Sequence, residues 1–206
     1  MSAGEIAHRY EVVESKERFV GAIFSVHSDL VTMPGGRTAW RDRTHHLGAV
    51  AVAAVDDEGR VALVRQYRHP LGAVLWELPA GLADVEGESG LLTGQRELAE
   101  EADLRAERWD LLLDLHTSPG YSDEHLRVFL ARGLSPVPES DRHTREHEEA
   151  ELTTAMVDLD EAVAMVLRGE ITNATTVAGV LAAARVLGQG FPPGTPRPAA
   201  GSLDLG

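Results

Sequence analysis

The sequence predicts an α+β protein with mixed sheets, preceded by an antiparallel N-terminal sheet. Strand-like segments dominate the chain, one acidic amphipathic helix lies in its middle, and two apolar helices come last. That order of elements is typical of α+β architecture. The chain has 206 residues, of which 43% are hydrophobic and 25% charged, so its size fits one large domain or one domain with a small appendage.

The first strands lie within residues 1–46. Segments 10–13, 19–31 and 38–46 are predicted as strands, and residues 33–36 (MPGG) have the composition of a turn. We therefore expect residues 1–46 to form an antiparallel sheet that is a subdomain of its own.

Two apolar segments, residues 48–55 and 61–64, predict central strands of a main domain at residues 47–190. Residues 56–59 (DDEG) between them carry turn chemistry, so a β-hairpin is expected here. Pro70 ends the second strand. A short extended piece then leads into a glycine-rich loop.

The rest of the chain supplies three helices and further strands. Apolar residues recur every three or four positions between Leu91 and Ala102, as an amphipathic helix requires. Asp158 or Asp160 can cap the next helix, and the last, apolar helix follows it. Strands are predicted at 109–116, 125–131 and 151–157, the last helix at 175–187, and a disordered tail with four prolines at 191–206.

Composition excludes several classes of function. Lys and Arg number 19 against 33 Asp and Glu, a net charge of −14, so the chain offers no basic surface for nucleic acid or an anionic membrane. It has no cysteine, which excludes disulfides, thiolate nucleophiles and cysteine-ligated metals. The N-terminus is polar and the longest apolar run falls short of the ~20 residues of a membrane span. We expect a cytoplasmic protein.

Glu97, Glu100 and Glu101 share one face of the predicted acidic helix. At 100° per residue they fall within an arc of about 100°. Two carboxylates ~6 Å apart at an effective dielectric of ~20 repel by roughly 3 kcal/mol, and a divalent cation turns this repulsion into attraction. Oxygen ligands favour Mg²⁺ or Mn²⁺. On these glutamates alone, a solvated acidic face is the alternative.

The surrounding residues favour the metal site. Residues 81–104 resemble the signature box of the Nudix hydrolases, because Glu88 is followed at the correct spacing by the sequence RELAEE at 96–101. Two departures are visible. Gly81 precedes Glu88 by one residue more than usual, and Asp103 stands where the box has its final glycine. A glycine there normally supplies the positive φ that ends the helix, a conformation that Asp tolerates better than most residues.

The resemblance implies a fold and a set of roles. The main domain would be a Nudix α/β/α sandwich with a mixed sheet. Glu97 and Glu101 would be metal ligands, joined by the carbonyl of Ala80, and Glu100 would be a ligand or a support for one. Arg96 would pair with a carboxylate of the box. Water would attack a diphosphate that links a nucleoside to another group.

Residues outside the box resemble the ADP-ribose pyrophosphatase branch of this family. They are residues 64–68 (VRQYR), residues 76–81 (WELPAG) and Pro119, sixteen positions after Asp103. By this resemblance Arg68 would contact substrate phosphate, and Arg41 would reach the substrate from the partner subunit of a swapped homodimer. The alternative for each arginine is a surface salt bridge. Three aromatic residues are candidates for stacking on adenine or for the core: Trp40, Phe24 and Tyr67.

Enzymes of this branch also carry a glutamate in an acidic loop before a strand, where it completes the metal cluster and acts as the base. By register against Leu152 we assign this role to Glu149, with Glu148 and Glu151 as alternatives. The other possibility is that this segment is a solvated acidic loop with no function. The implied reaction is Mg²⁺-dependent cleavage of ADP-ribose to AMP and ribose 5-phosphate, with Mn²⁺ as a substitute. Another nucleoside diphosphate sugar, such as ADP-glucose or GDP-mannose, and a non-catalytic ADP-ribose sensor are the alternatives.

Overall fold

The computed structural model describes residues 8–145 and 151–192. This part of the chain forms three α-helices: α1 (Gly90–Ala102), α2 (Leu159–Leu167) and α3 (Ala174–Gln189). The described residues also form ten strands: β1 (Val12–Val20), β2 (Phe24–Met33), β3 (Arg37–His46), β4 (Ala49–Ala54), β5 (Arg60–Arg68), β6 (Ala73–Glu77), β7 (Ala80–Leu82), β8 (Leu104–His116), β9 (His125–Pro136) and β10 (Thr153–Asp158).

The first of two compact units comprises Met1–Leu47 and His116–Glu124. Its sheet has the order β1-β2-β3 and is antiparallel throughout. The predicted single strand at 19–31 is wrong, because a tight turn at 21–23 separates β1 from β2. The amide of Gly21 donates to the Phe24 carbonyl at 2.9 Å, and the rings of Phe19 and Phe24 lie 5.9 Å apart across this turn.

The second unit comprises Gly48–Leu115 and His125–Gly206 and contains two sheets. One has the order β7-β4-β9-β8, with β4 parallel to β9 and antiparallel to β7. The other has the order β10-β5-β6 and is antiparallel. The mixed sheet that the sequence predicts is therefore present.

The predicted hairpin between residues 48–55 and 61–64 is wrong. Its turn forms, because the Asp56 amide donates to the Arg60 carbonyl at 3.0 Å. Within the described chain, however, β4 and β5 share one isolated bridge, Val55 with Val61, and then enter different sheets. Each strand is flanked by two other strands, β7 and β9 for β4, and β6 and β10 for β5. The residues of the turn predict that the chain reverses direction here, but they do not predict which strands lie beside β4 and β5.

Strand β4 separates two helical layers, and all six of its residues are buried. Ala49, Ala51 and Ala53 belong to a core cluster with residues of α2 and α3. The alternate residues, Val50, Val52 and Ala54, lie in clusters that include Leu91 and Leu98 of α1. Because successive strand residues point to opposite faces, this alternation places α1 on one side and α2 with α3 on the other. The α/β/α sandwich is confirmed.

The C-terminal helices begin at side-chain caps. Asp158, one of the two predicted candidates, caps α2 by accepting from the amides of Asp160 and Glu161 at 3.0 and 3.2 Å. Residues 193–206 of the tail predicted to be disordered lie outside the described residues, whereas Phe191 packs against the main core. Within the described ranges, each helix is too short or too polar to cross a membrane.

Candidate active site

Helix α1 carries the acidic residues that the sequence singles out. Its N-terminus is capped by Ser89, whose hydroxyl accepts from the Leu92 amide at 3.4 Å. Gly94 allows close packing on β4, since a Cβ there would lie 3.2 Å from Val50 Cγ1. As a result Glu97 and Glu101 are only 7% and 4% exposed, although both are acids. Buried acids are rare unless they are paired or bind a cation.

Both buried carboxylates contact the backbone of β7. The amide of Ala80 donates to Glu101 Oε2 at 2.8 Å. The carboxylate of Glu97 packs on the bare Cα of Gly81, where an added Cβ would lie 2.0 Å from Glu97 Oε1. The sequence pattern predicted that Ala80 and these glutamates belong together, and the structure brings them together. The metal-ligand role of the Ala80 carbonyl stays a prediction.

Arg96 is shared by three carboxylates. Its guanidinium lies 2.6 Å from Glu97 Oε1, 3.2 Å from Glu100 Oε2 and 3.1 Å from Glu88 Oε2. Burial disfavours the charged guanidinium, but the hydrogen bond to Glu88 and the nearby carboxylates outweigh it and raise the pKa of Arg96. The same hydrogen bond lowers the pKa of Glu88. The pairing expected of Arg96 is confirmed, and it holds the acidic face in place.

Arg68 is anchored by Glu77. The two side chains form a double contact, with Nε to Oε1 at 2.9 Å and Nη2 to Oε2 at 2.5 Å. The Glu77 side chain is 2% exposed and that of Arg68 is 42% exposed. The hydrogen bond to Glu77 raises the pKa of Arg68, and the charge of Glu101 contributes. The salt bridge considered as the alternative for Arg68 is thus present, and its partner, Glu77, is buried. Contact of Arg68 with substrate phosphate stays a prediction.

Sequence reasoning missed Glu77 as the partner of Arg68. Glu77 follows four apolar residues of β6 and was assigned no role, yet it is almost fully buried. A charged residue within a short apolar strand is itself a signal, since a buried charge requires a partner. The partner lies on the adjacent strand, where the register pairs Arg68 with Ala73 and Val64 with Glu77.

Arg41 lies on β3 in the first unit. Its guanidinium donates to the Trp40 carbonyl at 2.8 Å and lies 4.0 Å from Met33 Sδ. Among the described residues it has no carboxylate partner, so the salt bridge considered as the alternative is not formed there. The three aromatic candidates, Trp40, Phe24 and Tyr67, are 41%, 40% and 42% exposed, so none of them is a core residue.

The C-terminus of α1 ends at Asp103 in the left-handed conformation, with φ 53° and ψ 35°. In the described ranges Asp103 is the one residue other than glycine with positive φ. Asp103 thus adopts the positive φ that a closing glycine normally supplies, a conformation that Asp tolerates better than most residues. Its carboxylate accepts from Arg145 Nη2 at 2.9 Å, a contact that the sequence pattern did not indicate.

Glu149, the predicted base, lies outside the described residues, as does Glu148, whereas Glu151 is described and exposed. Within residues 8–145 and 151–192, no group of three or more His, Cys, Asp or Glu residues has the arrangement of a metal site. Metal ligation by Glu97, Glu100 and Glu101 therefore stays a prediction.

The donor chemistry of the described residues suits a hard divalent ion. Glu97 and Glu101 have buried carboxylates one helical turn apart, and Glu97 shares the guanidinium of Arg96 with Glu88 and Glu100. Negative charge thus exceeds positive charge at this site. Carboxylate and carbonyl oxygens in such a setting favour Mg²⁺ or Mn²⁺ over softer metals.

Comparison with known proteins agrees with this geometry. Residues 44–178 match the model of the NUDIX domain. An ADP-ribose pyrophosphatase of Mycobacterium tuberculosis is 50% identical over 175 residues, which cover 85% of this chain and 83% of the relative. An ADP-ribose pyrophosphatase of Bacillus subtilis is 36% identical over 167 residues, covering 81% of this chain and 88% of that protein.

A solved structure with the same fold is described as an ADP compounds hydrolase. It aligns with a TM-score of 0.75 at 20% identity, covering 89% of this chain and 97% of that one. At this identity the likeness concerns the fold. The family match spans more than half of the chain and the sequence relatives span most of it, so the chain belongs to the Nudix family of hydrolases.

Proposed function

We propose that this protein hydrolyses the diphosphate of ADP-ribose to AMP and ribose 5-phosphate in the presence of Mg²⁺. The observation that carries the proposal is the pair of buried carboxylates, Glu97 and Glu101, held on the backbone of Ala80 and Gly81. The substrate comes from the relatives, since two proteins that match most of the chain are named ADP-ribose pyrophosphatase.

The proposed metal ligands are Glu97, Glu101, the Ala80 carbonyl and Glu149, with Glu100 as a further ligand or a support. A bound Mg²⁺ screens the charge of the diphosphate, polarises phosphorus and lowers the pKa of the attacking water. Mn²⁺ has the same preference for oxygen donors and is expected to substitute. The excess of carboxylates over guanidinium groups around Arg96 supports this assignment.

The side chains have separate tasks in the reaction. Arg68 contacts a substrate phosphate, and its planar group is already oriented by two bonds to Glu77, so little side-chain entropy is lost on binding. Glu149 takes a proton from water, whose oxygen then bonds to one phosphorus. The bridging P–O bond breaks, and its electron pair stays on the leaving phosphate oxygen. One water is consumed for each AMP and ribose 5-phosphate.

The first experiment measures AMP release from ADP-ribose with Mg²⁺ and compares turnover of ADP-ribose, ADP-glucose and GDP-mannose. We expect the highest kcat/KM with ADP-ribose. A clear preference for either hexose conjugate would replace the proposed substrate while retaining the chemistry. Binding of ADP-ribose at full occupancy without any AMP release would instead support a sensor.

A second copy of this chain is the proposed partner of the N-terminal sheet. Strand β1 lies at the edge of its sheet, and all nine of its residues are exposed, including Val12, Val13, Phe19 and Val20. An exposed apolar edge strand is a liability for a monomer and is usually covered. We propose that a homodimer covers it, and that Arg41 of each subunit serves the site of the other.

Mixing two inactive variants tests this arrangement. In a dimer formed from one Arg41→Ala subunit and one Glu97→Gln subunit, a shared site would combine intact Arg41 with intact Glu97 once per dimer. With random re-assortment, we expect activity to recover to about a quarter of the wild-type value. The matched control mixes each variant with itself. Activity that stays at the level of the separate variants after subunit exchange would show that Arg41 does not act across the interface.

A further inference from the structure

Leu78 and Pro79 form the link between the two sheets of the second unit. They follow β6 of one sheet and precede β7 of the other, the strand that contacts the two buried carboxylates of α1. The Pro79 carbonyl accepts from the Val52 amide of β4 at 2.9 Å. Consecutive Cα atoms are about 3.8 Å apart, so any shift of this link is passed directly to Ala80.

The first turn of helix α3 holds the link from the layer opposite to α1. The Thr176 hydroxyl accepts from the Leu78 amide at 2.9 Å and donates to Asn173 Oδ1 at 3.1 Å. Asn173 is the cap of α3, and its side-chain oxygen also accepts from the Thr176 amide at 2.9 Å. Because a hydroxyl has a single proton, the bond to Asn173 leaves the oxygen of Thr176 oriented to accept from Leu78.

Both partners of this hydrogen bond are buried, since Thr176 and Leu78 are each 1% exposed. A buried amide without an acceptor is costly, so removal of the hydroxyl favours a shift of the link toward another partner. Gly179 lies one turn further along α3, where an added Cβ would be 2.5 Å from Leu78 Cδ1. One face of α3 therefore fixes both the main chain and the side chain of Leu78.

We propose that Thr176 is a positioning residue of the metal site, which acts through Leu78 and sets the position of the Ala80 backbone. This inference rests on the proposed function, because it requires the Ala80 carbonyl as a metal ligand. The Ala80 amide donates to Glu101 Oε2 at 2.8 Å, so a shift of Ala80 also disturbs a second proposed ligand. The competing role is a buried hydrogen bond that stabilises the fold and has no effect on metal affinity.

Calorimetry with Mn²⁺ measures the positioning role without turnover. Thr176→Val has nearly the same shape but no hydroxyl, and we expect its Kd for Mn²⁺ to rise about tenfold or more, as is typical when a group that orients a metal ligand is removed. Thr176→Ser retains the hydroxyl and should bind Mn²⁺ within about twofold of the wild type. Wild-type affinity in Thr176→Val would overturn the proposal.

The matched control is Asp158→Ala, which lowers stability at another helix. Asp158 caps α2 by accepting from two amides at 3.0 and 3.2 Å, and loss of this cap should lower Tm to a similar extent as Thr176→Val. We expect its affinity for Mn²⁺ to equal that of the wild type. If Asp158→Ala weakens Mn²⁺ uptake as much as Thr176→Val does, loss of stability explains the effect and the proposal is wrong.

A second variant decides the question if Thr176→Val does not fold. Gly179→Ala leaves the hydrogen bond in place but pushes on the Leu78 side chain, so it should also weaken Mn²⁺ uptake. Gly188→Ala is its control, because Gly188 lies in the same helix and an added Cβ there meets nothing within 4 Å. Equal affinity of these two alanine variants for Mn²⁺ would count against the proposal.

Turnover of ADP-ribose separates failure of this inference from failure of the proposed function. We expect Thr176→Val to need a higher Mg²⁺ concentration for half-maximal AMP release, while KM for ADP-ribose at saturating Mg²⁺ stays within about twofold. If the wild-type protein binds Mn²⁺ but releases no AMP, the proposed function fails, and the Mn²⁺ affinities of the variants still test the role of Thr176. If the wild type releases AMP and Thr176→Val binds Mn²⁺ as tightly, the positioning role alone fails.

Discussion

Replacement of Gly81 by alanine is expected to lower kcat by about 10²-fold or more. A Cβ at this position would lie 2.0 Å from Oε1, 2.1 Å from Cδ and 2.6 Å from Oε2 of Glu97. None of these distances is compatible with a non-bonded contact. Either the Glu97 carboxylate rotates away from its place on β7, or β7 and α1 move apart.

Either response disrupts the arrangement of Glu97 and Glu101 on β7. Rotation removes Glu97 from the neighbourhood of Glu101, and separation breaks the bond of 2.8 Å from the Ala80 amide to Glu101. Overpacking of this kind also costs about 1–3 kcal/mol of unfolding free energy. We therefore expect a lower Tm together with the loss of turnover.

Gly188→Ala is the matched control for Gly81→Ala. A Cβ at Gly188 meets nothing within 4 Å, and the residue lies in α3, where alanine is favoured over glycine by up to about 1 kcal/mol. This variant should keep wild-type kcat and a wild-type or higher Tm. Shortening the opposing side chain, by combining Gly81→Ala with Glu97→Asp, should regain part of the lost stability. More than a tenth of wild-type kcat in Gly81→Ala would contradict the contact.

The second large effect is expected from Glu97→Gln, which should lower kcat by at least ~10²-fold. Glutamine has the same shape, and its oxygen can still accept from Arg96, which contacts Glu97 Oε1 at 2.6 Å. The fold should therefore persist, with a Tm close to that of the wild type. What is lost is a buried negative charge that the proposed metal requires.

Calorimetry with Mg²⁺ and Mn²⁺ measures this loss directly. We expect metal uptake by the wild-type protein and markedly weaker uptake by Glu97→Gln. Glu161→Gln is the matched control, because Glu161 is an exposed glutamate of α2 that pairs with Arg168 at 2.7 Å, away from α1. Equal metal uptake by the wild type and Glu97→Gln, or near-normal turnover by the variant, would remove Glu97 from the metal site.

The sequence was sufficient for features that depend on short-range chemistry. The recurrence of apolar residues predicted α1, and the spacing of Glu97 and Glu101 predicted that both lie on one helical face. The turn at residues 56–59 and the cap at Asp158 also followed from residue type. Each of these features depends on residues close together in the sequence, where the conformational propensities of the residues and local hydrogen bonds decide the structure.

Features that depend on distant partners were not predicted. β4 and β5 diverge into separate sheets because each needs two lateral strands, which turn chemistry does not specify. The contact of Arg145 with the end of α1 joins residues more than 40 positions apart, and Glu77 is identified as an anchor only once β5 and β6 are paired. The packing of Glu97 on Gly81 likewise depends on how α1 meets β7.

The double role of β4 has a consequence for how this chain can change over time. Each residue from Ala49 to Ala54 faces the layer opposite to that of its neighbour, so gaining or losing one position would exchange every contact on both sides. Because all six residues are buried in close-packed layers, we expect neither a change of length nor a large change of side-chain volume to be tolerated here. We expect insertions to be tolerated instead in the turn of residues 56–59, where the chain passes from one sheet to the other.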